Sequence, residues 1–236
     1  MDETEEYKKI IKKHHDKYAT TMSQKGELYE FKQNLIKKYT DKKSNILDLG
    51  CGNGLFAIPL SKNVKNIVAV DFSTKMISEL KRRIKMENIH NIHTLNSDFS
   101  DTKLQNNSFD TAISFSTLYY IKNLDQVFSL VNKSLKPKGV FIFDTLNMKS
   151  LGALYYSKKY SFYQNFMDIS KLKSKLKEFD FEIIDEYCFE LIPSFSFIKG
   201  IMDVKLKGKT IDFILSNPKI LKQFSFRYIF VCKKVD

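Results

Sequence analysis

The stretch Ile46-Leu47-Asp48-Leu49-Gly50-Cys51-Gly52-Asn53-Gly54 decides how the chain is read. Its first four residues have the character of a buried strand end. Three glycines then fall at every second position, and Leu55 to Ser61 resumes an apolar pattern suited to a helix. A strand that turns tightly into a helix start is a ready site for a polar or anionic group. Bare backbone permits close approach, and the unpaired N–H groups and helix dipole point at the ligand.

The following strand carries a second signal. Asn66-Ile67-Val68-Ala69-Val70 is an apolar run closed by Asp71, 21 residues after Gly50 (71 − 50). At about this distance a nucleotide-binding βαβ unit places an acid against a ribose, because a carboxylate can accept two hydrogen bonds from a vicinal diol. The dinucleotide pattern G-x-G-x-x-G requires glycine at position 55. That residue is Leu55, and the loop reads G-x-G-x-G.

Outward from this core the pattern alternates. Strands are predicted at 45–49, 66–70, 91–95, 109–115 and 140–145. Helices are predicted at about 55–62, from the cap Ser73 to about Glu87, and at about 124–135, where Lys136-Pro137-Lys138-Gly139 ends the last of them. Such alternation implies a parallel sheet with helices on both faces and right-handed crossovers. Residues 1 to 43 are largely helical in pattern. Glu27 to Tyr39 has an amphipathic period, and His14-His15-Asp16-Lys17-Tyr18 before it reads as an irregular polar stretch. After strand five, Leu151 to Phe166 is crowded with aromatics and Ser170 suits a helix cap. Phe181 to Phe189 reads as strand six, Leu191 to Lys222 as irregular, and Phe224 to Lys233 as the last strand.

The glycine loop, Asp71, the fourth-strand run Phe109-Asp110-Thr111-Ala112-Ile113-Ser114-Phe115-Ser116 and the turn Leu135-Lys136-Pro137-Lys138-Gly139 together resemble the class I S-adenosylmethionine-dependent methyltransferases, of the small-molecule type. The likeness covers residues 44 to 145 well and the ends loosely. It implies a Rossmann-like α/β fold: a seven-stranded, mostly parallel sheet with an antiparallel last strand, helices on both faces and an N-terminal helical cap. It implies one domain over 1–236, with a cap at 1–43, a cofactor-binding half at 44–145, and a substrate-side half at 146–236 containing an insertion at 191–222.

The resemblance also assigns roles. Asp48 would orient the loop and the cofactor's cationic amino group, Gly50, Cys51 and Gly52 would bind the cofactor within the loop, and Asp71 would take the ribose. Phe72 and Met76 would sandwich the adenine, with Asp98 and Phe99 at its edge. Phe115, at the end of strand four, would also bind the cofactor, and Tyr18 would cover it from the N-terminal segment. Many members carry histidines where Tyr119 and Tyr120 stand. A general base is needed only if the acceptor arrives protonated. His14, His15, Tyr18, Tyr119 and Tyr120 could serve, and no catalytic residue is assigned.

Composition bounds the remainder. A chain of 236 residues can bury one substantial core. No apolar run reaches the ~18 residues of a membrane span, and the charged N-terminus lacks a signal-peptide core. Cys51, Cys188 and Cys232 are odd in number and widely spaced, so neither a disulfide framework nor a metal site is expected. A reducing cytoplasm fits. The net charge of +12 invites a polyanionic partner, but only Arg82, Arg83 and Arg227 are arginines, the side chain that best forks phosphates and bases. The expectation is therefore methyl transfer to an O, N or C atom of a small molecule. A tRNA or other nucleic-acid substrate and a non-catalytic cofactor-binding subunit are the alternatives.

Overall fold

The computed structural model describes residues 3–21, 26–150, 153, 165–189 and 225–236. The strands are β1 (Asn45–Leu49), β2 (Asn66–Asp71), β3 (Ile92–Asn96), β4 (Phe109–Ser114), β5 (Leu135–Leu146), β6 (Phe181–Phe189) and β7 (Arg227–Lys234). They form one sheet in the order β3-β2-β1-β4-β5-β7-β6. The pairs from β3 through β5 are parallel, and β7 runs antiparallel to both β5 and β6. This is the sheet that the resemblance implied, with its reversed final strand.

The strands are buried on both faces because each alternates two apolar sets. Leu47, Leu49, Phe141 and Phe143 meet one layer, which includes Phe128 and Val131 of α5 (Leu124–Ser134) and Leu172 and Leu176 of α6 (Ile169–Glu178). Ile46, Ile67, Ile113 and Ile142 meet the other. That layer holds Leu35 and Ile36 of α2 (Glu27–Lys38), Ile58 and Leu60 of α3 (Ala57–Ser61), and Ile77 and Leu80 of α4 (Thr74–Met86). Ser73 caps α4 as its sequence suggests, accepting the Met76 N–H at 3.1 Å. In a further helix, α1 (Glu3–Tyr18), Ile11 is the buried side chain among those described.

Four local expectations are corrected. His14 to Tyr18 is not irregular but forms the last turns of α1, since no glycine or proline interrupts the chain before Gly26. The cap of α6 is Asp168, not Ser170: its carboxylate accepts from the Ser170 N–H at 2.9 Å, and an anionic oxygen is the stronger acceptor. The helix after the glycine loop is shorter than expected, starting only at Ala57. Lys136 to Gly139 does not separate helix from strand but is a bulge within β5. Between paired positions β5 advances from Leu135 to Val140 while β4 advances only from Phe109 to Thr111, and Lys138 takes a left-handed φ of 62°. The 191–222 insertion and most of the aromatic stretch after Leu151 lie outside the described residues.

One polar cluster ties these layers together. Asp144 on β5 is fully buried. Its carboxylate accepts from Lys32 Nζ of α2 at 2.6 Å, Arg227 Nη1 of β7 at 2.7 Å and the Ser116 N–H at 2.6 Å. Burial opposes its ionisation, but the two cations and the Ser116 N–H outweigh it and hold the carboxyl below its ordinary range. Removing one partner of such a cluster leaves buried charge uncompensated, at a cost of ~3–5 kcal/mol. Asp144→Ala is therefore expected to lower the unfolding free energy by about that amount in urea titration. An unchanged midpoint would contradict the role given to this carboxylate.

Candidate functional site

A cavity of about 240 Å³ opens at the carboxyl ends of β1, β2 and β4, where open α/β sheets bind ligands. Its floor is the glycine bend. Gly50 and Gly52 have φ of 74° and 54°, conformations that side-chain-bearing residues rarely adopt. At Gly50 a Cβ would also stand 2.1 Å from Thr117 Oγ1, so only glycine fits beneath the segment after β4. Ser116, itself left-handed at φ 56°, is held by its N–H bond to Asp144, and Thr117 Oγ1 donates to the Phe115 carbonyl at 3.0 Å.

Asp71 stands at the end of β2 and is buried. Its Oδ2 accepts the Gly52 N–H and its Oδ1 the Ser73 N–H, each at 2.9 Å. Each oxygen keeps a further lone pair for a ligand hydroxyl. Burial raises its pKa, and the two backbone donors oppose that rise. Asp98 lies at the other end of the cavity. Its Oδ1 accepts from the Ser100 N–H and Oγ, and its Oδ2 pairs with Lys8 Nζ at 3.2 Å.

Asp48 carries the least expected electrostatics. It faces the α2–α4 side of β1 and is 2% exposed, and its Oδ2 has no hydrogen-bond partner among the described residues. Burial, and then the neighbouring Asp71 charge, raise its pKa from 3.8 to about 8. A buried carboxyl left unsatisfied next to a ligand bend is a place prepared for a cation or a donor.

The wall brings together Gly50, Cys51, Gly52, Asp71, Phe72, Asp98, Phe99 and Phe115 from the sequence-derived set. It does not include three others. Asp48 lies behind the bend. Met76 is fully buried, where the cap places the first turn of α4 against the sheet. Tyr18 is exposed, because it sits one turn beyond the stripe of α1 that faces the cavity and its ring packs on His14. That stripe is Tyr7, Ile11 and His15, spaced four apart, and it forms the cavity's roof with Lys8. The spacing was legible in the sequence, but the charged residues around it concealed it. Of the candidate bases, only His15 and Tyr120 reach the wall. Among the described residues, no group of three or more His, Cys, Asp and Glu side chains could hold a metal ion, and no helix is long and apolar enough to cross a membrane.

A left-handed glycine bend, an acid closing the neighbouring strand and a parallel sheet whose last strand reverses define a Rossmann-like nucleoside-binding domain. The Methyltransferase domain family matches residues 40–180, more than half of the chain, and the chain belongs to that family, with the fold of the class I S-adenosylmethionine-dependent methyltransferases. It is 31% identical over 116 residues to the ubiquinone biosynthesis O-methyltransferase of Rickettsia canadensis, covering 49% of this chain and 48% of that one. It is also 31% identical over 146 residues to the malonyl-[acyl-carrier protein] O-methyltransferase of Bacillus cereus, covering 61% and 52%. The chain thus spans about half the length of these curated relatives. Among solved structures, the phosphoethanolamine N-methyltransferase 2 of Haemonchus contortus in complex with S-adenosyl-L-methionine superposes with a TM-score of 0.64 at 20% identity, covering 87% of this chain and 53% of that one.

The Asp48 carboxyl gives a pH test. Its folded pKa of about 8 lies above its unfolded value near 3.8, so the folded state binds the extra proton. Its contribution to stability is full below pH 4 and is lost as pH rises through 8. Asp48→Asn is therefore expected to raise the melting temperature of the ligand-free protein, with a gain that grows between pH 5 and 8. Melting curves across that range, in which wild type and variant fall in parallel, would show that Asp48 is not a buried acid.

Proposed function

We propose that this chain transfers a methyl group from S-adenosylmethionine to an oxygen atom of a small-molecule acceptor. One arrangement carries the reading: a backbone bend that admits no side chain at Gly50, backed by the unpartnered buried carboxyl of Asp48 and flanked by Asp71. These residues fit a cationic amino acid joined to a ribose. The backbone from Gly50 to Gly52, with Asp48 behind it, holds the amino-acid end. Asp71 takes the ribose hydroxyls, Asp98 and Phe99 the adenine edge, and Phe72 an adenine face. Phe115 borders the site from the end of β4.

When bound, the cofactor supplies a methyl group activated by a sulfonium charge. The task of the protein is then alignment and exclusion of water, and fixing two reactants in register is worth effective molarities of ~10⁵ M or more. The aromatic lining from Tyr7, Phe56 and Tyr120 suits a small, partly apolar acceptor. The names of the two curated relatives support oxygen as the accepting atom. The scarcity of arginine argues against a nucleic-acid substrate. In this reading residues 1–43 cap the site, 44–145 hold the cofactor and 146–236 complete the acceptor side.

Asp71→Ala is expected to weaken S-adenosylmethionine binding by more than roughly tenfold in calorimetry, from the loss of charge-assisted hydrogen bonds. An unchanged affinity would remove the ribose assignment. For turnover, the protein is incubated with the cofactor and a mixture of phenols, catechols and carboxylic acids. Mass spectrometry is expected to find one component heavier by a methylene. Binding without any such product would favour a non-catalytic role.

A further inference from the structure

His15 is a second polar group of this chamber that the reading above leaves unused. It sits on α1, 56 residues before Asp71 in the chain (71 − 15), yet both line the same cavity. Its ring packs edge-on against Phe72 at 6.3 Å and Tyr120 at 5.0 Å between centroids. Its neighbour Asp16 accepts a hydrogen bond from Ser73 Oγ at 2.5 Å. The His15–Asp16 step of α1 is therefore docked on the turn Asp71-Phe72-Ser73, the turn that carries the ribose acid.

Neither ring nitrogen of His15 makes a hydrogen bond among the described residues, although the ring is half-buried and faces the cavity. A neutral imidazole offers one N–H donor and one bare acceptor nitrogen. Both face the cavity and stand available to a ligand seated between α1 and the Asp71 turn. We propose that His15 is a cofactor-binding residue: its imidazole hydrogen-bonds the ribose-bearing part of S-adenosylmethionine from the α1 side, while Asp71 holds it from the sheet side. The inference rests on the reading of this cavity as the cofactor site.

The charge state suits the role. Burial first, and then the adjacent His14, push the His15 pKa down to about 4, with Asp16 opposing. The ring is neutral at neutral pH and does not repel a sulfonium. The other candidate bases have different surroundings. His14 packs on Tyr18 away from the cavity, and Tyr119 is buried behind the wall near Arg227.

The test is calorimetric titration of S-adenosylmethionine and S-adenosylhomocysteine into wild type, His15→Ala, His15→Gln and His14→Ala. Loss of a hydrogen bond in a shielded site is expected to weaken both compounds roughly tenfold in His15→Ala. Glutamine, which keeps a donor and an acceptor, is expected to recover most of that loss, and His14→Ala to bind as wild type. In parallel, the His15 ring proton resonances of wild-type protein are expected to shift on adding S-adenosylhomocysteine. Wild-type affinity in His15→Ala, or an unmoved His15 signal in a saturated complex, would overturn the inference while leaving the site reading intact. A wild-type protein that binds neither compound would overturn both.

Discussion

The absence of room above Gly50 is the constraint on which the site depends. A Cβ there would collide with Thr117, so two segments 67 residues apart (117 − 50) are in direct contact across the sheet end. Thr117 is held there by a relay. Lys32 and Arg227 stabilise the charge on Asp144, and Asp144 fixes the Ser116 N–H in a left-handed turn that a serine adopts only under compulsion. Helix α2, the reversed strand and the glycine bend therefore share one mechanical connection. The strain at Ser116, on the order of 1 kcal/mol, is small beside the buried ion cluster that imposes it.

Around the bend the chain gathers carboxylates. The Asp71 charge raises the cost of ionising Asp48, and Asp16 raises that of Asp71. In a protein with a formal charge of +12, this local reversal of sign is specific to the site and not a product of composition. It makes physical sense if the occupant is a cation, whose charge would offset the repulsion among these acids. A dinucleotide, with its pyrophosphate, would meet the opposite field. The charge pattern thus reaches independently the conclusion that Leu55 gave from spacing alone.

Much of this was legible in the chain. The glycine bend and Asp71 announce themselves because their chemistry is local: a positive-φ turn needs glycine, and a strand-end acid is visible as the stop of an apolar run. The mostly parallel sheet and its reversed last strand followed from the alternation and the resemblance. Asp144 was not legible, because its two cations lie on α2 and β7, far away in sequence. Lys32 did leave a trace, since it falls on the apolar stripe of α2 between Leu28 and Leu35, where a lysine has no business without a buried acid. Tyr18 misled for a related reason. The resemblance supplied a residue type, but the helical period decides which residue faces in, and it selects His15 one turn earlier.

That selection bears on how α1 is held. Its contacts with the cavity rim mix apolar and polar groups: Ile11 is buried and the His15 ring packs on Phe72 and Tyr120, while Tyr7 Oη donates to the Tyr120 carbonyl at 2.7 Å, Lys8 pairs with Asp98, and just past the helix Asn53 Nδ2 donates to the Ala19 carbonyl at 2.9 Å. Each polar contact is worth little net because water offers the same groups similar partners. A roof secured by burial would have to give up apolar area in order to lift. The roof over this site combines both kinds of attachment, with one buried isoleucine and a packed imidazole beside hydrogen bonds that water can exchange. The narrow inward stripe of α1, Tyr7, Ile11 and His15 among charged neighbours, suits a covering element over a site that must load and empty.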